Sequence, residues 1–220
     1  MAKTLPFPIG LLGGTFDPIH RGHLQLARDA QAQLGLAEVR FIPTAAPWQK
    51  KRVTPAVHRA QMVELAIAGE PGFVLDMREI ERGDASYTID TLRDLRRTLG
   101  ADVPLVLIMG GDQMQGFDTW RDWRAIIDFA HLAVARRNDA APVLNDTLQR
   151  FYAEHRAPVA QLRAQPAGRL VEIDMTPIDA SATEIRALLG QPAAPARDAR
   201  LAACVPAAVL DYIEAHRLYK

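Results

Sequence analysis

Apolar positions along the chain fall into short runs and longer helical stripes that alternate. Ile9, Leu11 and Leu12 form the first run, followed by Gly13-Gly14 and then by Leu24, Ala27 and Leu34. That order predicts a strand, a glycine turn and a helix that Gly35 ends. Glu38 to Ile42 alternates as a second strand, and Pro43 stops it. Pro55 to Ala68 reads as a helix with Val57, Met62, Leu65 and Ala66 on its buried side, and Phe73 to Asp76 as a third strand. Ser86 or Thr88 is placed to cap a helix that carries Leu92, Leu95 and Leu99 and stops at Gly100. Pro104 to Met109 is continuously apolar, as in a central parallel strand buried on both faces.

The second half repeats the alternation more faintly. Trp123, Ile126 and Ile127 have helical spacing, while His131 to Ala135 and Leu170 to Asp174 read as strands. Between these two strands, about 138–168 is rich in Ala, Pro and Gln and predicts a peripheral excursion with one helix, Asp146 to Ala157. Ser181-Ala182-Thr183-Glu184 has the sequence of a capping box. Pro206 opens a closing helix with Val209, Leu210 and Ile213 inward.

Strands alternating with helices imply an α/β fold: a mostly parallel central sheet, helices on both faces and right-handed crossovers. The segments that hold candidate chemistry (GGTFDP, APWQK, GGD, RR and SATEIR) each follow a strand. Ligands of such sheets bind beyond the carboxyl ends of the strands, so all five should face one cleft. With no internal repeat and no clear linker, residues 1–220 are expected to form a single domain.

Composition narrows the function further. The 26 basic and 26 acidic residues cancel, so the net charge calls for neither nucleic acid nor a membrane surface. No apolar run approaches the roughly 20 residues of a membrane helix, and the first residues lack a secretory leader pattern. A cytoplasmic location is expected. The single cysteine, Cys204, excludes an intrachain disulfide and lies in an apolar run that predicts burial.

The chemistry concentrates in Gly13 to Leu24, GGTFDPIHRGHL. His20 and His23 stand three residues apart at a predicted helix start, where free backbone N–H groups favour an anion. Gly13 and Gly14 carry no Cβ to hold a phosphate away from the backbone, and they can adopt positive φ. The stretch is neither G-x-G-x-x-G nor G-x-x-x-x-G-K-[ST], so the dinucleotide fingerprint and the P-loop do not apply. A cation, Arg186, sits near a predicted helix N-terminus, where it opposes the dipole; a bound polyphosphate would account for it.

His20-Arg21-Gly22-His23 resembles the H-x-G-H signature of the nucleotidyltransferase superfamily. GGTFDPIHRGH, Pro47 to Lys50, SYTIDTL from Ser86, GGDQ from Gly110, Trp120, ARR from Ala135, SATEIR and VPAAVLDYI together resemble the bacterial nicotinate-nucleotide adenylyltransferases almost end to end. The resemblance implies a Rossmann-like nucleotidyltransferase fold. It also implies adenylyl transfer from ATP to nicotinic acid mononucleotide, with deamido-NAD and pyrophosphate as products.

By the same resemblance, His20, His23, Lys50 and Arg186 are catalytic, and Ser181 and Thr183 help to hold the triphosphate. Gly13, Gly14, Thr15 and Phe16 line the ATP turn, Gly110 and Asp112 hold the ribose, and Arg137 lies near the adenine. Ser86, Tyr87 and Thr88 belong to the mononucleotide site with the backbone at Arg121, and Trp120 stacks on the pyridine. Many relatives have Pro-His-Lys where this chain has Pro47-Trp48-Gln49-Lys50, so only Lys50 is carried over from that loop. Mg²⁺ is expected to arrive with ATP, no protein metal site is expected, and oligomeric state is not legible. A relative acting on nicotinamide mononucleotide or phosphopantetheine, or a silent nucleotide-binding module, stays open at this point.

Overall fold

A computed structural model describes residues 5–46, 53–83, 85–136 and 143–220. Its first half runs β1 (Ile9–Gly14), α1 (Arg21–Leu34), β2 (Glu38–Pro43), α2 (Ala56–Ile67), β3 (Phe73–Leu75), α3 (Arg78–Arg82) and α4 (Thr88–Leu99). The second half runs β4 (Leu105–Gly110), α5 (Gly111–Gln115), α6 (Trp123–Phe129), β5 (His131–Arg136), α7 (Asp146–His155) and β6 (Leu170–Asp174). Three helices follow: α8 (Ala182–Leu189), α9 (Pro195–Cys204) and α10 (Ala207–Ala215). The strands form one sheet in the order β3-β2-β1-β4-β5-β6, and every pairing is parallel.

Alternation along buried strands explains why they read as unbroken apolar runs. Leu12, Val106, Ile108, Ala133 and Val171 face one side, against α1, α2 and the helices after β6. Leu11, Leu105, Leu107, Met109 and Val134 face the other, against α4, α6 and α7. Both faces are covered, as a parallel sheet requires.

Strand order reverses between β1 and β4, the switch point where such sheets bind ligands. β1 pairs with β2 along its whole length, Ile9 with Glu38 through Gly14 with Pro43. With β4 it pairs only over Ile9–Leu11 and Leu105–Leu107. Beyond Leu11 and Leu107 the two strands part, and the crevice opens at their carboxyl ends.

Several expectations need correction. Val57 is not on the buried side of α2 but 65% exposed, and Arg59 is 1% exposed among Ala60, Met62, Val63, Ala66 and Ile67. Four carbonyl acceptors draw the Arg59 guanidinium inward. Neither Ser86 nor Thr88 caps α4: the cap residue is Tyr87, and Ser86 Oγ accepts the N–H of Ala45 (3.2 Å) instead. The capping box at α8 is half formed. Ser181 Oγ accepts from the Glu184 N–H (3.2 Å), while the Glu184 carboxylate pairs with Arg200 (2.9 Å).

Three helices had no sequence reading. α3 and α5 have five residues each, too short to show a period, and α9 buries only Leu201 and Cys204. Among the described residues no helix is long and apolar enough to cross a membrane.

Candidate active site

The turn between β1 and α1 is built from side to side by hydrogen bonds to its backbone. A Cβ placed on Gly13 would meet no atom within 4 Å, so nothing in the fold itself demands glycine there. Neither Gly13 nor Gly14 adopts positive φ; that conformation falls on Phe16 (φ 49°), whose ring is 2% exposed. A left-handed non-glycine residue persists only where its surroundings fix it. Here the ring packs against Phe41 (5.9 Å) and meets His23 edge-on (5.1 Å, 80°), and the preceding carbonyl, Thr15 O, accepts from Arg59 Nη1 (2.7 Å).

Arg59 closes the base of the turn. Besides Thr15 O it donates to Thr54 O (2.8 Å), Thr44 O (2.6 Å) and Ala45 O (3.0 Å), which ties β1, the end of β2 and the entry to α2 together. Burial lowers its pKa, with the Asp17 charge opposing that shift.

His20 is the cap residue of α1, and its ring stacks on His23 with centroids 3.7 Å apart and planes inclined by 27°. The His20 backbone N–H donates to His23 Nδ1 (3.2 Å), so the neutral His23 ring carries its proton on Nε2. His20 is 8% exposed and His23 half-buried. A Cβ on Gly22 would lie 3.1 Å from the His20 ring, which explains glycine between the two imidazoles.

Arg186 reaches this turn from α8. It donates to Asp17 O (2.7 Å) and, at 3.4 Å, to Thr183 Oγ1, with Ser181 and Thr183 exposed at the helix start. On the other side of the crevice the Gly110 N–H donates to Gln113 Oε1 (3.0 Å). Asp112 is exposed, and its carboxylate folds back so closely that a Cβ on Gly110 would collide with it.

The second half of the site surrounds the start of α4. Tyr87 offers no side-chain oxygen to the first turn, which begins with half-buried Thr88. Arg121 lies over the Tyr87 ring (4.8 Å) and pairs with Asp90 (3.6 Å). Phe117, fully buried, meets the edges of Trp120 (5.5 Å) and Trp123 (5.6 Å). Trp123 is core at 9% exposure; Trp120 is half-buried and keeps part of its ring accessible.

The sequence model of the cytidylyltransferase-like family matches residues 11–188, a span from β1 to α8 that contains both histidines and Arg186. The chain belongs to that family. Over 96% of its length it is 42% identical to a Pseudomonas aeruginosa protein named "Probable nicotinate-nucleotide adenylyltransferase", covering 97% of that protein. A protein of the same name from Aeromonas salmonicida is 44% identical, over 98% of this chain and 99% of the relative. The Plasmodium falciparum nicotinic acid mononucleotide adenylyltransferase complexed with NaAD has the same fold (TM-score 0.73, 16% identity, 97% of this chain and 98% of that one).

Within this cytidylyltransferase-like chain, the structure gathers Gly13, Gly14, Thr15, Phe16, His20, His23 and Arg186 around one turn. Gly110 and Asp112 stand at the carboxyl end of the neighbouring strand. Ser86, Tyr87, Thr88, Trp120 and Arg121 form a second group around α4 and the segment before α6. The Ser86 hydroxyl, 7% exposed, is engaged inside the protein by Ala45 and Glu79. Lys50 and Arg137 lie outside the described residues. Arg136, before Arg137, pairs with Asp174 (2.6 Å) across to β6. Arg59 and Asp17 are the functional-site residues that the sequence did not single out; the signal for Arg59 is a lone cation inside an apolar helical stripe.

Proposed function

We propose that this protein transfers the adenylyl group of ATP to the phosphate of nicotinic acid mononucleotide, giving deamido-NAD and pyrophosphate in NAD biosynthesis. The observation that carries the proposal is the stacked His20–His23 pair at the start of α1, at the switch point of the sheet. The near end-to-end similarity to relatives of that name supports the choice of substrates.

The nucleophile is already an anion, so the reaction requires no general base. Charge accumulates on the oxygens of the α-phosphate as the incoming phosphate attacks in line, and no covalent enzyme intermediate is needed. Catalysis is then positioning plus electrostatic stabilisation. His23 contributes an Nε2–H donor, fixed by the bond at its Nδ1. His20 stands against it, Arg186 faces the polyphosphate alongside Ser181 and Thr183, and Lys50 is assigned the role of a further cation for it. The open face of Gly13 admits the phosphate chain to the backbone, with Gly14, Thr15 and Phe16 shaping the same turn. Gly110 and Asp112 take the ribose, and Arg137 the adenine side. MgATP is the substrate form; among the described residues no three His, Cys, Asp or Glu side chains gather to hold a metal themselves.

The pyridine carboxylate sits at the start of α4. The first-turn N–H groups there receive no oxygen from the Tyr87 side chain, and Thr88 adds a hydroxyl. Trp120 stacks on the ring, and Ser86, Tyr87 and Arg121 shape the surround. The enzyme works as a single domain in the cytoplasm.

Pyrophosphate release with MgATP tests this directly when nicotinic acid mononucleotide, nicotinamide mononucleotide and phosphopantetheine are offered separately. Turnover favouring the acid is expected. Comparable use of the amide would break the carboxylate argument, and no turnover with any acceptor despite ATP binding would reject the enzymatic reading.

A further inference from the structure

The segment after α10 does not run out into solvent. His216 N–H donates to Tyr212 O (3.1 Å) and Leu218 N–H to Ile213 O (3.0 Å), while Arg217 (φ 53°) and Tyr219 (φ 65°) take left-handed conformations. Two such residues in three turn the chain back on itself, and Leu218 and Tyr219 pack against the same core cluster as Phe16 and Ile185. There the Tyr219 hydroxyl donates to Asp17 Oδ1 (2.7 Å).

Asp17 is 4% exposed and lies three residues before His20. Its other oxygen, Oδ2, accepts from the Thr54 N–H (3.4 Å), and its backbone carbonyl accepts from Arg186 (2.7 Å). One residue therefore ties the segment after α10, the entry to α2 and the α8 cation to the turn that carries the histidines. Because Arg186 bonds the backbone carbonyl of Asp17, displacement of that backbone would shift the cation relative to the imidazoles. Burial and the neighbouring carboxylate push the Tyr219 hydroxyl well above the usual tyrosine range, so it remains a donor.

We propose that Tyr219 and Asp17 are a positioning pair, which sets the register between Arg186 and the His20–His23 turn for the triphosphate of ATP. The inference rests on the adenylyl-transfer reading, but ATP affinity reads it independently of the acceptor. Tyr219→Phe removes one oxygen and leaves the ring packing in place. About tenfold weaker MgATP binding by calorimetry is expected, short of the roughly 100-fold that a 1 Å misplacement can cost. With nicotinic acid mononucleotide as acceptor, kcat should fall by a similar factor while its KM stays within about twofold. Asp17→Asn should show the same pattern, and the double variant should be no worse than the poorer single one.

Unchanged ATP affinity and kcat in folded Tyr219→Phe, with only a lower Tm, would overturn the pair as a positioning device. So would effects that multiply in the double variant. Should Tyr219→Phe not fold, Asp17→Asn alone decides on the same ATP titration. Wild-type protein without turnover would reject the proposed reaction and leave the pair to be judged by ATP affinity.

Discussion

The two halves of the site are built in opposite ways. Around the β1–α1 turn nearly every group is buried or fixed: Arg59 donates to four carbonyls, Asp17 is 4% exposed, and His20 is pressed between His23 and Gly22. Around the start of α4, Ser86 is buried, but half-buried Trp120 is held by Phe117 and exposed Arg121 by Tyr87 and Asp90. The difference follows the chemistry. Stabilising charge on a phosphate rewards donors that need not reorganise, whereas recognising a flat ring needs one accessible face. On the proposed function, the rigid turn would set the rate and the more open shelf would select the acceptor.

The comparison breaks first if the rigid half proves dispensable. Losing one fixed donor from such a site costs about 10²–10³ in kcat. His23→Ala should lose at least that much, with a near wild-type Tm and unchanged far-UV circular dichroism. Normal kcat/KM in that variant would remove the histidines from the chemistry.

Arg59→Met probes the same half through its scaffold. The side-chain volume is roughly kept, but Thr15, Thr44, Ala45 and Thr54 lose their donor. Each buried acceptor left unsatisfied costs about 1–3 kcal/mol, so a loss of at least about 3 kcal/mol is expected in urea unfolding. A loss below about 1 kcal/mol would mean that the turn holds without its cation.

That asymmetry also decides how much could be read beforehand. The six strands were legible because short apolar or alternating runs bounded by Gly and Pro leave few alternatives. The His20–Gly22–His23 spacing was legible as a helix start, and the structure stacks the two imidazoles there. Arg59 was not, since a cation at an apolar helical position is charged to the outside by periodicity and drawn inward only by carbonyls distant in sequence. Gly13 and Gly14 could have taken positive φ, yet tertiary packing placed it on Phe16. The role of Asp17 depends on Tyr219, 202 residues away, and no local pattern contains that distance.

A control lies at the opposite end of the sheet. His131, fully buried at the start of β5, bonds Gln165 O through Nε2 (2.9 Å) and accepts the Arg169 N–H at Nδ1 (3.1 Å). Burial lowers its pKa from 6.5 to about 4. The unfolded chain therefore binds a proton at higher pH than the folded one. Stability is full above pH 6.5 and falls as pH drops towards 4, by up to about 3 kcal/mol. His131→Gln should flatten that part of the Tm–pH curve and leave kcat at pH 8 unchanged. An equally steep curve in the variant would assign the acid sensitivity to other groups.

The smallest effect sharpens the comparison most. Trp120 keeps part of its ring accessible while its edge rests on Phe117, so truncation should remove a stacking surface without opening the core. Stacking is worth about 0.5–1.5 kcal/mol beyond burial, which corresponds to about a 2- to 13-fold rise in KM. In Trp120→Ala that rise should appear for nicotinic acid mononucleotide and not for ATP, and Trp120→Phe should recover most of it. Trp123→Ala is the necessary partner measurement: its ring packs against Phe117 and Phe151 at 9% exposure, so its removal should lower Tm far more than it shifts either KM. Equal weakening of both substrates in Trp120→Ala would place that tryptophan with Trp123 in the scaffold, and acceptor selection would then have to come from the start of α4 alone.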